Sequence, residues 1–312
     1  MIEEDGKLRW LFDFVKIRED LDFLIGKNKK TEWISIYRGL SRILTMNFKD
    51  DSSIKIDGAD AYKCLCSDLY GVKRFEALHF KDQLELLLQK MEKDDKFNRY
   101  YNNKKEGYYQ NQLSRRYGLH GQPEDEFVII DKEAVIGYNN LFEKHAEINK
   151  YLPKYQGLLK HLSNIDSKAF GKDLDKKSVG NELDFVALTK NGDILLIEFK
   201  HGSNTSGIYL SPIQIGMYYD LFSGIDKDKL KRSIFNMLEQ KQKIGLNCPT
   251  WKNPSSIGRI IPVLIVADYN ERSTAKGKLD QVLDISRKEL GTDFLKDLKA
   301  YNYVPNLGLT NW

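Results

Sequence analysis

Asn181-Glu182-Leu183-Asp184-Phe185-Val186-Ala187-Leu188-Thr189-Lys190-Asn191-Gly192-Asp193-Ile194-Leu195-Leu196-Ile197-Glu198-Phe199-Lys200 is the stretch on which the reading of this chain turns. Two apolar runs, residues 183–188 and 194–200, flank an Asn-Gly pair, which is a strong hairpin signal. Loop length then decides which side chains meet. A two-residue loop, Asn191-Gly192, pairs Asp184 with Phe199 and leaves Asp184 and Glu198 on opposite faces. A three-residue loop, Lys190-Asn191-Gly192, with Gly192 left-handed, pairs Asp184 directly with Glu198. Lys200 lies two residues on and so shares the face of Glu198. We take the three-residue loop.

That register creates an electrostatic problem. Directly opposed carboxylates repel, and both stand in strands that are apolar on either face. Lys200 offsets part of the repulsion. A divalent cation between the acids would offset more, and oxygen donors suit Mg²⁺ or Mn²⁺ better than zinc. The plainer alternative is an Asp–Lys–Glu ion cluster that only holds a strand end.

Outward from this hairpin, residues 127–130 and 134–138 read as a second hairpin about Asp131-Lys132-Glu133. Helices are expected over 141–152 and 155–162, from Pro212 onward, over 229–244 and over 278–290, with an apolar strand over 260–266. Such a series packs as an α/β domain, a central mixed sheet flanked by helices with at least one antiparallel pair. Residues 118–126, rich in glycine, proline and acid, mark a boundary, giving domains 1–122 and 123–312. The N-terminal part shows a helix over 8–24, strands over 33–37, 43–46 and 53–56, and a helix over 75–91. It reads as α+β.

The chain has 312 residues, 41% hydrophobic and 30% charged, enough for two cored domains and too apolar for wholesale disorder. Its longest apolar stretch, 260–266, is interrupted by Pro262 and far short of the ~20 residues of a membrane helix. The opening Met1-Ile2-Glu3-Glu4-Asp5 has no secretory character, and Cys64, Cys66 and Cys248 make no disulfide framework. A cytoplasmic protein with no membrane association is expected. The 49 Lys and Arg against 45 Asp and Glu leave a net charge of +4, too mild to identify a polyanion partner. Cys64 and Cys66 lack a second pair at zinc spacing, and His120, His145 and His201 form no metal-binding array. A phosphate-binding glycine loop and a serine-hydrolase elbow are both missing.

An acid on one strand followed by Glu198-Phe199-Lys200 on the next resembles the PD-(D/E)XK nuclease superfamily. The departure is Glu182-Leu183-Asp184, which has no proline before the acid. Ser211-Pro212-Ile213-Gln214-Ile215-Gly216-Met217-Tyr218 is similar to the QxxxY element of the RecB-type and lambda-exonuclease-like branch, with Gln214 and Tyr218 four apart on one helix face. The same residues also read as a capping box, with Ser211 as N-cap, Pro212 first and Gln214 third. The resemblance spans about residues 127–266 and is one of motif order. It implies a restriction-endonuclease-like fold and hydrolysis of phosphodiester bonds. Asp184 and Glu198, with the backbone carbonyl of Phe199, would hold Mg²⁺ (Mn²⁺ as substitute), and Lys200 would serve the attacking water. Gln214 and Tyr218 would support the site. A helix glutamate often joins it, and of Glu143 and Glu147 we take Glu147.

The partner expected of such a site is nucleic acid, DNA first. Between Lys96 and Tyr117, six cations interleave with Phe97, Tyr100, Tyr101, Tyr108, Tyr109 and Tyr117, as in a strip that binds phosphates and stacks bases. The same pattern fits a helix pair whose rings pack inward. The N-terminal domain would select substrate or bind a protein partner. The rival to a metal-dependent nuclease is a noncatalytic nucleic-acid-binding protein that keeps the nuclease fold.

Overall fold

The computed structural model describes residues 6–27, 31–48, 53–74, 76–170, 182–247 and 251–312. The chain is α/β with two sheets, and it divides into two compact units. One comprises Met1–Gln122 with Glu239–Pro249, and the other Pro123–Leu238 with Thr250–Trp312. The first division falls inside the Gly/Pro/acid stretch. Segment 239–249 differs from the sequence expectation, because it belongs with the N-terminal unit. Arg9 donates to the Ile244 carbonyl at 3.0 Å, and Ile244 and Leu246 are buried in that unit's core.

The N-terminal unit runs α1 (Arg9–Ile17), β1 (Leu21–Lys27), β2 (Glu32–Arg38), β3 (Ser41–Phe48), β4 (Ser53–Asp57), α2 (Asp60–Leu65), β5 (Gly71–Arg74), α3 (Ala77–Glu92), α4 (Asp95–Asn102) and α5 (Glu106–Ser114). Its five strands form an antiparallel meander in chain order. Leu11, Phe12 and Val15 of α1 and Leu84, Leu87 and Leu88 of α3 share one core with Ile34, Ile36, Leu44 and Met46 of the sheet. The helix expected over 8–24 stops at Ile17. The Leu21 amide closes a turn onto the Arg18 carbonyl, and residues 21–27 pair with β2 instead. Leu21 and Phe23 fit a period of two as well as one of three to four, and cross-strand pairing settles the choice.

Several charged residues of this unit are paired internally. Asp20 accepts from Arg18 at 3.0 Å and from Arg38 at 2.8 Å. Arg38 also donates to Asn98, which holds the carbonyls of Met91 and Glu92. Burial works against the Asp20 carboxylate, but the two guanidiniums outweigh it and hold its pKa below the usual range. Arg115 is buried and donates to the carbonyls of Val15, Lys16 and Leu21 at 2.7–2.8 Å.

The C-terminal unit runs β6 (Phe127–Ala134), α6 (Leu141–Ile165), α7 (Ser167–Phe170), β7 (Leu183–Thr189), β8 (Ile194–His201), α8 (Thr205–Ser223), α9 (Lys227–Lys243, to Leu238 in this unit), β9 (Ile260–Ala267), α10 (Ala275–Leu290), β10 (Lys299–Val304) and β11 (Gly308–Asn311). Its six-stranded mixed sheet has the order β11-β10-β9-β8-β7-β6. Strands β8, β9 and β10 are parallel and the other neighbours antiparallel. Helices α6, α8 and α10 share a core with Leu264 and Val266 of β9. By the β8–β9 register, those two residues lie beside Glu198 and Lys200, so α8 covers the sheet face that carries the acids.

Three expectations are corrected here. Residues 127–138 do not form a hairpin, since β6 pairs along its length with β7 and absorbs one extra residue as a bulge between Ile129 and Asp131. The 141–152 and 155–162 helices are one, running through Pro153. Helix α8 starts seven residues before Pro212, with the Asn204 side chain capping the Gly207 amide at 3.0 Å. Pro212 therefore sits inside the helix, where it cannot donate to the Ile208 carbonyl. The Ser211 hydroxyl takes that carbonyl instead, at 2.7 Å, so the capping box does not form.

Candidate active site

The β7–β8 hairpin adopts the three-residue loop. Phe185 faces Ile197 and Leu188 faces Ile194, Gly192 has φ +87°, and its amide closes onto the Thr189 carbonyl at 3.0 Å. A side chain at Gly192 would also meet the Ser256 carbonyl, since a Cβ there lies 2.2 Å from it. Continued by one pair, this register sets Asp184 opposite Glu198.

The regular ladder ends one pair short of the acids. Beyond Phe185 and Ile197 the next inward amide of β8, that of Phe199, donates to the Asp184 carboxylate at 2.8 Å. A side chain thus occupies the place of a strand carbonyl. Because the N–H and C=O of one residue point to the same edge of a strand, the Phe199 carbonyl faces that edge too. The Phe199 ring goes to the other sheet face, fully buried between Phe185 and Tyr303 at centroid distances of 6.4 and 6.5 Å. That packing fixes the backbone of the Glu-Phe-Lys element.

Glu198 is 3% exposed and Lys200 9%, and the Lys200 ammonium bonds the Glu198 carboxylate. A buried pair of this kind is costly to desolvate, and a second carboxylate beside it adds to the cost. Tyr218 comes down from α8 onto the same place. Its hydroxyl donates to the Glu182 carbonyl and accepts the Glu182 amide at 3.1 Å, which fixes the backbone entering β7. Burial first, then the charge of Glu198 and, more weakly, those of Asp184 and Glu182, hold that hydroxyl far above the ordinary tyrosine range. It stays protonated at any working pH.

The structure therefore brings Asp184, Glu198, Lys200, the Phe199 backbone and Tyr218 together. Gln214 stands one turn before Tyr218, half-buried, and its amide has no hydrogen-bond partner among the described residues. Glu147 is turned to other work, paired with Lys150 and adding its charge to that of Glu143 against the Tyr138 hydroxyl. Glu143 closes a capping box, accepting the Asn139 amide at 2.8 Å while Asn140 accepts its own at 2.9 Å.

Sequence reasoning placed His201 and Gly202 in a loop leaving this strand end and missed the partner they meet. His201 is buried, its Nδ1 accepts the Ser203 amide at 3.1 Å, and its Nε2 lies 3.4 Å from the Asp268 carboxylate. The Gly202 amide bonds the Ala267 carbonyl at 2.7 Å, and a Cβ at Gly202 would lie 2.2 Å from the Asp268 carbonyl. Only the parallel β8–β9 register brings Asp268 here, and no local sequence signal reveals it.

Several rings of the Lys96–Tyr117 strip pack inside the N-terminal unit, while Lys96, Arg99, Lys104 and Lys105 are exposed. Tyr109 and Tyr117 are buried, and Tyr108 packs edge-on against Tyr101 and Tyr109 at 5.2 and 5.1 Å. Lys104 and Arg116 lie over Tyr108 and Tyr117, and Arg38 lies over Tyr101. Of the cysteines, Cys64 is exposed and Cys66 buried, both as free thiols, and Cys248 lies outside the described residues. No described helix is long and apolar enough to cross a membrane.

No protein-family model, curated protein or solved structure matches this chain.

Proposed function

We propose that the chain is a metal-dependent nuclease that hydrolyses phosphodiester bonds, DNA first, on a restriction-endonuclease-like C-terminal unit. The observation that carries this reading is the convergence of Asp184 with the buried Glu198–Lys200 pair where the β7–β8 ladder ends. Glu198 and Lys200 are buried and Asp184 half-buried beside them, so two carboxylates converge with an ammonium at one strand end, an oxygen-rich set that suits a cation.

The donor set suits Mg²⁺ or Mn²⁺. It offers two carboxylates and a backbone carbonyl, all hard oxygens. When bound, the ion would lower the pKa of a water and polarise the phosphate. The chain's own residues do the rest. Asp184 is oriented by the Phe199 amide, and Glu198 by Lys200. Lys200 places positive charge beside the acids, where it can steady the water and the negative charge that grows on the phosphate. Tyr218 acts one step removed, by locking Glu182 and so the approach of Asp184.

The test is cleavage of labelled linear and circular DNA with Mg²⁺ or Mn²⁺ by the wild type and Asp184→Asn. Cutting that requires metal and vanishes in the variant supports the reading, and circular substrate shows whether ends are needed. Absence of cutting on single- and double-stranded DNA and RNA with both metals would favour the noncatalytic binding protein.

A further inference from the structure

Beside the acids, the part of the sheet face left uncovered by α8 opens into an apolar groove of about 200 Å³. Its floor is Ala134 of β6 and Val186 of β7, its walls include Ile136, Phe222, Ile225 and Met237, and its polar lining is Asp131, Lys229 and Ser233. Val186 is two residues from Asp184 and on the same face, so the floor begins about 7 Å along the strand from that carboxylate. A smaller adjoining pocket shares Ala134, Ile136 and Phe222, and adds Lys144 and Tyr218. The groove thus has as its neighbour a pocket lined by the tyrosine of the candidate site.

We infer that this groove is a subsite for one unstacked nucleobase of the strand that passes the Asp184–Glu198 site, an inference that rests on the nuclease reading. A base is the one apolar, flat part of a nucleotide, and Phe222 among aliphatic walls suits it. The volume is below the ~300–1,000 Å³ of pockets for drug-sized ligands, so it admits a single ring system and excludes a base pair. Lys229 and Lys144 supply the positive charge that the flanking phosphates require. A base can enter only if it is out of the duplex stack. The site therefore acts on single strands or frayed ends.

Gly137 lines the groove, and a Cβ built there meets nothing within 4 Å, so Gly137→Trp fills the mouth without displacing backbone. The experiment walks a single abasic nucleotide along a labelled 15-nucleotide strand and measures binding in EDTA, where nothing is cut. In the wild type one position is expected to weaken binding about tenfold. In Gly137→Trp the intact strand is expected to bind about tenfold more weakly, with no position dependence, and duplex binding and thermal melting are expected to stay unchanged. Lys229→Ala is expected to weaken binding a few-fold and to flatten its salt dependence. A uniform abasic profile, a Gly137→Trp protein that binds like wild type, or no binding of single-stranded DNA or RNA would overturn the subsite. If the abasic position appears but Mg²⁺ and Mn²⁺ never yield cutting, the subsite stands and the nuclease reading falls. If cutting occurs with a uniform profile, the nuclease reading stands and the subsite falls.

Discussion

Each unit buries acids against bases, and the two clusters balance their charges in opposite ways. In the N-terminal unit one acid, Asp20, lies between Arg18 and Arg38, and Arg38 continues into Asn98 and the Tyr101 ring. In the C-terminal unit Glu198 pairs with the Lys200 ammonium and Asp184 takes the Phe199 amide beside them, at a point where a strand ladder stops. The first arrangement closes on itself and holds α1, β2 and the α3–α4 corner together. The second gathers two acids and a lysine at a strand end, the arrangement on which the proposed site rests.

Substitution should separate the two clusters. Asp184→Asn and Glu198→Gln are each expected to reduce metal-dependent cleavage by roughly 10³-fold or more. Melting of Asp184→Asn stays level or rises because a like charge is removed, whereas Glu198→Gln leaves Lys200 buried without its carboxylate and melts lower. A fall of several degrees in melting temperature with activity retained would instead make this cluster architecture. Arg38→Ala should do the opposite. Loss of one partner from a buried pair costs about 3–5 kcal/mol, read as a lower denaturation midpoint, with the catalytic rate of the remaining folded protein unchanged.

Smaller effects sharpen the contrast. Tyr218→Phe removes a hydroxyl that serves both backbone groups of Glu182, and should cost about 1–3 kcal/mol in stability. If Tyr218 positions Asp184, the rate at saturating substrate also falls, about tenfold, with little change in KM. The pH dependence of stability is the finest test. The folded pKa of Asp20 is depressed below its unfolded value near ~3.9, so its contribution is complete above that value and disappears as pH falls through the folded pKa. Denaturant unfolding of Asp20→Asn between about pH 5 and pH 2 should therefore show a shallower acid loss than wild type.

Much of the site was legible because the chemistry is local. Asn191-Gly192 between two apolar runs sets the hairpin register, and that register alone places Asp184, Glu198 and Lys200 on one face. The elements that failed are those where a distant partner overrides a local signal. Asp131-Lys132-Glu133 looks like a turn, yet β7 pairs straight across it, with Asp131 opposite Val186 and Lys132 opposite Phe185. Pro212 looks like a helix start, yet the Ser211 hydroxyl repairs the carbonyl that Pro212 leaves. Strands β1, β5, β10 and β11 are short or mixed in pattern, and they take their identity from their neighbours. Asp268 reaches His201 only through the parallel β8–β9 pair, which the sequence does not advertise.

The central proposal, that Asp184 and Glu198 hold a divalent cation, is tested most directly by Mn²⁺ titration followed by electron paramagnetic resonance on wild type, Asp184→Asn and Arg38→Ala. The account predicts that the wild type takes up Mn²⁺, that Asp184→Asn loses most of that uptake, and that folded Arg38→Ala keeps it. A folded wild type that takes up none, or an Asp184→Asn protein that binds as tightly, would contradict it.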